Sequence, residues 1–279
     1  KPHQGATKNI INYGRVRAYD VADGADAAQS QTLSDTNSAY TPSEVQVQVT
    51  LPGSTMRRIA DPDLEARTAR MLNNAYDLKE DTDGTAQFTS FTSTDLGAAG
   101  TVVSPGHLAA ADGQLSVGIT AANPEPAPAP HIYVCHPWTA VALAGRIIPY
   151  ANPNALTAPY GVNTGAHLGV EPGVGHSDSE LQHSLMMKGI GGLGAYAGLD
   201  IRQDANLVPD SGDDTTGAAF SKEGFIFVSE VEPRLDTDTS DKSLRGAVEL
   251  NLWGSYAWGV YRPANYGVSM IFDSSRPTS

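Results

Sequence analysis

The 279-residue sequence is poor in cysteine and in positive charge, and it has no long apolar run. Its single cysteine, Cys135, excludes an intrachain disulfide, which fits a reducing compartment or a fold that never relied on oxidation. No stretch of about 18 apolar residues occurs, so we expect no membrane-spanning helix. Residues 1–9 lack the apolar core of a signal peptide, which disfavours a secreted β-rich binding protein.

The shortage of positive charge argues against one broad class of function. The chain has 18 basic and 31 acidic residues, for a formal net charge of -13. Nucleic-acid affinity depends largely on Lys and Arg side chains that neutralise phosphates, so we do not expect sequence-specific DNA binding. The 28 glycines and 18 prolines indicate many turns and long loops, within one large domain or two modest ones.

The N-terminal region predicts a protruding hairpin. Residues 1–14 are typical of an extended polar arm, and residues 14–23 contain a short strand. Residues 44–51, EVQVQVTL, alternate strictly between polar and apolar, which predicts a strand with one apolar face. We expect these two strands to pair. Their connection is far longer than the usual hairpin loop, so the hairpin should protrude and pack on another molecule.

The best predicted helix follows this strand. Asp61 is a suitable N-cap, Pro62 suits the first helical position, and Gly84 is expected to end the helix. A helix of about 20 residues would be roughly 30 Å long. The side chains expected on its buried face are Leu64, Thr68, Met71, Leu72, Ala75 and Leu78.

The rest of the chain mixes helices and strands. We predict a helix from Ser104–Pro105 to about Val117, a Pro-rich extended linker at 123–130, and a buried strand at 131–135. An apolar helix should follow Pro137, and a strand is expected at about 199–202. The C-terminal third is strand-rich, and its predicted sheet residues are Phe225, Phe227, Val231, Val248, Leu250 and Leu252.

Cys135 and His136 are the first candidates for chemistry, because cysteine beside histidine occurs in nucleophilic and metal sites. A cysteine nucleophile needs a base nearby and an electropositive, partly open site. Adjacent strand residues point to opposite faces, so His136 cannot readily serve Cys135. We therefore predict that Cys135 is a small buried side chain at the end of a strand and not a nucleophile.

A histidine-rich stretch is the second candidate. His167, His176 and His183 lie near Asp178 and Glu180, and these residue types bind zinc and other transition metals. Their spacing matches no metal signature, so a polar surface loop is the alternative that we expect.

Two further motifs are weaker. The first is a GxGxxG at Gly189, Gly191 and Gly194, which follows a helix and leads to a strand, the reverse of a dinucleotide fingerprint. The second is a fragment of a calcium loop, which we expect to be a solvated hairpin tip, at Asp236, Asp238 and Asp241. The residues therefore predict no enzyme, no catalytic residue, no cofactor and no bound metal.

The order of elements resembles the HK97-like fold of the major capsid proteins of tailed bacteriophages. The resemblance covers most of residues 10–275, and within this fold the sequence most resembles the capsid proteins of the N4-like grouping. The stretches that carry it, in chain order, are TPSEVQVQVTLPGSTMRRIADPDLEARTARMLNNAYDLKEDTDG, LAAADGQLS with PHIYVCHPWTAVAL, KGIGGLGAYAGLDIRQDANLV, GAAFSKEGFIFV and GVYRPANYGVSMIFD.

The resemblance implies an α+β fold with an N-terminal arm, an extended β-hairpin loop, a long spine helix, and peripheral and axial domains. The implied boundaries are 1–14 for the arm, 15–58 for the extended loop, 59–130 for the spine helix and peripheral domain, 131–250 for the mainly axial domain, and 251–279 for returning strands of the peripheral domain.

The resemblance also implies a function. The chain would self-assemble, as hexamers and pentamers, into the icosahedral shell of a virion around double-stranded DNA, without specific DNA binding and without a membrane. Assembly would occur in the host bacterial cytoplasm, with a scaffold, a portal and a cement or decoration protein as partners. The alternatives are an encapsulin-type nanocompartment shell and a metal-dependent hydrolase that uses the region from His167 to His183.

Two departures refine these expectations. Some members of this family crosslink subunits through a lysine on the extended loop, but here no lysine lies between Lys8 and Lys79. We therefore expect no isopeptide bond. The chain starts with Lys1 rather than Met, which fits either removal of an N-terminal scaffolding segment or a disordered tail.

Overall fold

A computed structural model gives the structure of the chain. It describes residues 7–13, 35–54, 63–93, 95–118, 125–147, 195–196, 198–238 and 247–276. The described residues form two compact units. Unit 1 consists of residues up to Gly84 together with Phe225–Gly259, and unit 2 consists of Thr85–Gly224 and the residues from Val260 onward.

Three helices and eleven strands span the described residues. The helices are α1 Leu64–Ala86, α2 Pro105–Val117 and α3 Pro137–Ile147, with 3-10 turns at Gln87–Ser90 and Lys222–Gly224. The strands are β1 Lys8–Tyr13, β2 Asp35–Tyr40, β3 Ser43–Leu51, β4 Leu96–Gly97, β5 His131–Cys135, β6 Ala195–Tyr196, β7 Leu199–Gln203, β8 Asp214–Ser221, β9 Phe225–Asp238, β10 Val248–Val260 and β11 Gly267–Asp273.

Unit 1 contains a three-stranded sheet in the order β3-β10-β9. The predicted strand at 44–51 is confirmed as β3, and the partner expected for it within 14–23 lies outside the described residues. Strand β3 pairs antiparallel with β10, from Ser43 opposite Tyr256 to Leu51 opposite Val248. The alternating pattern fixes which face of a strand is apolar, but it does not identify the strand that lies beside it. In this sheet the valines of β3 join the apolar side chains of β10 in one core.

The N-terminal arm is also more ordered than expected. Residues 8–13 form β1, which pairs antiparallel with β2 from Lys8 opposite Tyr40 to Tyr13 opposite Asp35. The short strand predicted within 14–23 lies outside the described residues. Strands β1 and β2 form a two-stranded antiparallel pair, the β1–β2 hairpin, and β3 follows it after Thr41 and Pro42.

Helix α1 packs on the sheet of unit 1 through a narrower face than the sequence predicts. Thr68, Leu72 and Tyr76 are buried, whereas Met71 is 69% exposed and Leu78 is 50% exposed. The expectation that Met71 and Leu78 belong to the core is wrong. Residues four apart stack along one face of a helix, and the buried residues Thr68, Leu72 and Tyr76 form such a row.

The C-terminal half of α1 is joined to β10 by polar and ring contacts. The Tyr256 hydroxyl donates to Asp83 at 2.9 Å, and the Trp258 indole N–H donates to the Glu80 carbonyl at 3.0 Å. A Cβ built on Gly84 would lie 3.2 Å from the Trp258 ring. Gly84 does not end the helix as expected, since α1 continues to Ala86. Its lack of a side chain instead leaves room for the indole.

Unit 2 contains a six-stranded mixed sheet in the order β4-β11-β8-β5-β7-β6. The pairs β4–β11 and β5–β7 are parallel, and the other pairs are antiparallel. Helix α2 contributes its predicted buried row to the core of this unit, together with side chains of α3 and the sheet. The members of this core with 0% exposure are Val103, Leu108, Ala111, Leu115, Leu143, Leu199, Ala219 and Met270. The predicted α+β class is confirmed.

The Pro-rich segment before β5 is not a free spacer. The Ala127 N–H donates to the Leu115 carbonyl at 2.8 Å, and the Ser221 hydroxyl donates to the Pro128 carbonyl at 2.5 Å. Glu125 forms an ion pair with Arg262. Because these groups are bonded to residues of unit 2, the described part of this segment belongs to the folded body of that unit.

Candidate functional site

Cys135 ends strand β5 inside the core of unit 2. Its side chain is 1% exposed, and Sγ lies 3.7 Å from the Arg202 carbonyl of the neighbouring strand β7. Burial raises the pKa of the Cys135 thiol to about 12. A reactive cysteine needs an accessible thiolate, and this residue has neither the charge nor the access. The interpretation of Cys135 as a packed side chain therefore agrees with its geometry.

His136 organises the start of helix α3. Its side chain is 8% exposed, and Nδ1 accepts a hydrogen bond from the Trp138 N–H at 3.2 Å. Burial lowers the pKa of His136, and the nearby Asp204 only partly opposes this effect. A neutral imidazole with its lone pair on a helix N–H satisfies one of the donors that every helix start leaves open. His136 caps a helix and does not act on Cys135.

The other sequence candidates bring no site together. His167, His176, His183, Asp178 and Glu180 lie outside the described residues, as do Asp241 and the three glycines Gly189, Gly191 and Gly194. Asp236 lies in strand β9, where it accepts hydrogen bonds from Trp253 Nε1 at 2.8 Å and Arg234 Nη2 at 3.2 Å. A strand residue bonded in this way is not at the tip of a hairpin, so that expectation for Asp236 is wrong.

Over the described ranges, no group of three or more His, Cys, Asp or Glu side chains could hold a metal ion. None of the helices in the part of the chain that the structure describes is both long enough and apolar enough to cross a membrane.

The surfaces that stand out instead are apolar and exposed. On the β1–β2 hairpin, Ile11 is 49% exposed and Tyr13 is 55% exposed. A two-stranded ribbon is marginally stable by itself in water, because neither face is covered. The base of the hairpin is fixed within unit 1, since a Cβ on Gly259 would come within 1.9 Å of the Tyr40 ring. The hairpin thus presents apolar side chains from an anchored base.

The outer side of α1 is the second such surface. Met71 and Leu78 lie among exposed charged residues, Arg67, Arg70, Asp77 and Asp81. The sequence interpretation missed this surface because it counted both apolar residues as core. The charged neighbours on the same side of the helix were the signal that could have identified it.

Comparisons with known proteins identify the fold. No family model matches the sequence, and no curated protein matches it either. Solved structures do match over nearly the whole chain, and several of them are capsid or head structures of bacteriophages. The chain therefore has the HK97-like α+β fold, and the predicted fold is confirmed.

Two phage capsids and one encapsulin illustrate the matching structures. The acid-stable capsid of Helicobacter pylori bacteriophage KHP30 is 11% identical, with a TM-score of 0.68, covering 98% of this chain and 86% of that one. The capsid of Ralstonia phage GP4 is 12% identical, with a TM-score of 0.65 and coverages of 99% and 85%. The SrpI encapsulin of Synechococcus elongatus is 11% identical, with a TM-score of 0.57 and coverages of 100% and 86%.

Proposed function

We propose that this chain is the major capsid protein of a tailed bacteriophage, a structural protein that assembles with copies of itself into an icosahedral shell. The observation that carries the proposal is the capsid fold, shared over 96–100% of the chain with the solved shells. The packed state of Cys135 and the capping role of His136 support a structural rather than a catalytic role.

The exposed surfaces of unit 1 favour self-assembly. The β1–β2 hairpin and the outer side of α1 carry large apolar side chains that the described residues leave in solvent. Closed assemblies repeat one set of contacts under symmetry, and obligate interfaces exceed about 2,000 Å². Burying these side chains against neighbouring copies would recover the apolar area that the single chain leaves exposed.

We propose the roles of the elements on the same basis. Helix α1 is the spine helix, and the β1–β2 hairpin belongs to the extended loop. The domain boundaries predicted from the sequence stay a prediction, as does the N4-like grouping. The subunits would form hexamers and pentamers, with a scaffold, a portal and a cement or decoration protein as partners. Assembly would take place in the host cytoplasm.

The shell would enclose double-stranded DNA without binding it specifically. A net charge of -13 repels phosphate, which suits an inner wall that must not retain the genome. A strongly basic inner surface in the assembled shell would contradict this part of the proposal.

The absence of lysine between Lys8 and Lys79 predicts a shell without isopeptide crosslinks from the extended loop. Purified particles boiled in detergent should therefore run as single chains on a denaturing gel. A ladder of covalent oligomers would contradict this prediction.

An encapsulin-type shell is the second candidate, because the SrpI encapsulin has the same fold across the full chain. Sedimentation and negative-stain microscopy of the purified full chain test the shared part of both proposals, since both expect closed shells. The contents then separate them: double-stranded DNA in particles from infected cells supports the capsid, and a co-purifying cargo enzyme supports the nanocompartment. A stable small monomer would count against both.

A further inference from the structure

The outward side of helix α1 carries exposed charges of both signs. Arg67 and Arg70 lie towards its N-terminal end, and Asp77 and Asp81 towards its C-terminal end. The helix dipole favours acidic residues at the start of a helix and basic residues at its end. Glu65 in the first turn follows this preference, whereas the last turn has no basic residue. An identical helix that runs antiparallel offers the opposite order of charge.

The order is symmetric about Asn74. Arg67 and Asp81 are equally far from Asn74 along the helix, about 10 Å by the helical rise, and Arg70 and Asp77 lie within about 6 Å of it. All five residues are exposed. A rotation by 180° about an axis through Asn74 thus places each arginine of one helix beside an aspartate of an identical antiparallel helix.

The side of the helix on which each residue lies strengthens the match. At about 100° per residue, Met71 and Leu78 fall on one flank of the Asn74 row, and Arg70 and Asp77 fall on the opposite flank. In an antiparallel pair related by a two-fold axis, each flank meets its own copy. Met71 would contact Leu78 of the second copy, and Arg70 would meet the second copy's Asp77.

We propose that α1 pairs antiparallel with α1 of a second copy across a two-fold axis at Asn74. Such a contact is isologous, so each pair of residues occurs twice. It removes from water two exposed apolar side chains in each copy, Met71 and Leu78, and surrounds them with opposite charges. The inference rests on the proposed function only in requiring that copies of the chain meet.

A disulfide test addresses the axis directly. Packed helices lie about 8–10 Å apart, so two cysteines on the axis come within bonding distance. Asn74→Cys in the full chain should give a disulfide-linked dimer on mild oxidation. Asn73→Cys is the matched control, since Asn73 is exposed on the same helix but about 100° away. The native Cys135 is buried and should not react.

Charge reversal tests the register. In the Asn74→Cys background, Arg70→Asp or Asp77→Arg places like charges together twice, and each should lower the yield of dimer about tenfold, or about 1.4 kcal/mol. An equimolar mixture of the two variants should restore the yield, because each supplies the charge that the other needs. The double variant with both reversals should also crosslink.

The outcomes are distinct. Equal crosslinking at positions 73 and 74, no crosslinking at 74, or a mixture that fails to restore the yield would overturn the inference. Shells without crosslinking at 74 would leave the proposed function standing and remove this contact. Crosslinked dimers that never form shells would support the contact and contradict the proposed function.

Discussion

Replacing Leu72 with alanine should destabilise unit 1 strongly. Leu72 lies on the buried row of α1, is 1% exposed, and packs in a core with Tyr76 and Leu252. Removing a fully buried leucine side chain loses its transfer free energy and leaves a cavity, and such changes cost about 3–5 kcal/mol. The rings of Tyr76 and Tyr256 are in edge contact. If these rings cannot move into the cavity that Leu72→Ala leaves, the loss in free energy of unfolding should lie near the upper end of this range.

Leu78→Ala is the matched control. It makes the same chemical change in the same helix, but Leu78 is 50% exposed. Burying a leucine completely contributes about 1.5–3 kcal/mol, so a half-exposed leucine should lose less than about 1.5 kcal/mol. Its main effect is expected on the association of copies.

The assay is urea unfolding of the dissociated chain, followed by tryptophan fluorescence. Trp258 of β10 packs against the core that Leu72 fills, so its emission reports on that core. Equal losses for the two variants, or a larger loss for Leu78→Ala, would refute the division of α1 into a buried row and an outer side.

Three further predictions concern single groups. Burial raises the pKa of the Cys135 thiol to about 12, so this thiol should react with maleimide at pH 8 only after unfolding. Reaction of the folded chain at the rate of a free thiol would show that the Cys135 side chain is accessible to solvent. Gly113 lies in open space on α2, so Gly113→Ala should raise the free energy of unfolding by about 0.5–1 kcal/mol. Gly267→Ala should lower both the free energy of unfolding and the Tm, because the added Cβ would lie 2.0 Å from the Phe91 ring. Similar Tm values for the two variants would contradict this packing. Burial, followed by the charges of Asp77 and Asp81, raises the pKa of Glu80, so the folded state holds the Glu80 proton more tightly than the unfolded state. The stability that this proton contributes is lost as pH rises through the raised pKa. Glu80→Gln should therefore raise Tm at pH 7 and not at acidic pH, and an equal gain at both pH values would count against the shift.

Much of the fold was predictable because local pattern decided it. Helix α2 has Pro105 in its first turn and the buried row Leu108, Ala111 and Leu115, as its spacing predicts. Strand β5 ends where Pro137 begins helix α3. These features depend on residues close in sequence, where periodicity and backbone restriction act directly.

The features that the sequence did not predict depend on residues distant in sequence. One is the pairing of β3 with β10, some two hundred residues later, because alternation in β3 carries no information about it. Met71 and Leu78 satisfy the helical period, yet the row of α1 that the tertiary structure buries is Thr68, Leu72 and Tyr76. Gly84 looked like a helix end and instead accommodates Trp258.

The sequence predicted that Cys135 is a buried side chain, but it did not predict the role of His136. Burial raises the pKa of the Cys135 thiol, which agrees with the predicted small buried side chain at the end of a strand. The cap that His136 provides for Trp138 requires the turn into α3, which residue type alone does not specify.

The central claim is that this chain builds a closed shell with the HK97-like fold. Cryo-electron microscopy of particles assembled from the purified full chain tests it most directly. The account predicts icosahedral shells in which α1 and the β1–β2 hairpin both contact neighbouring copies. A homogeneous monomer or small open oligomer, with the hairpin and the outer side of α1 exposed to solvent, would contradict it.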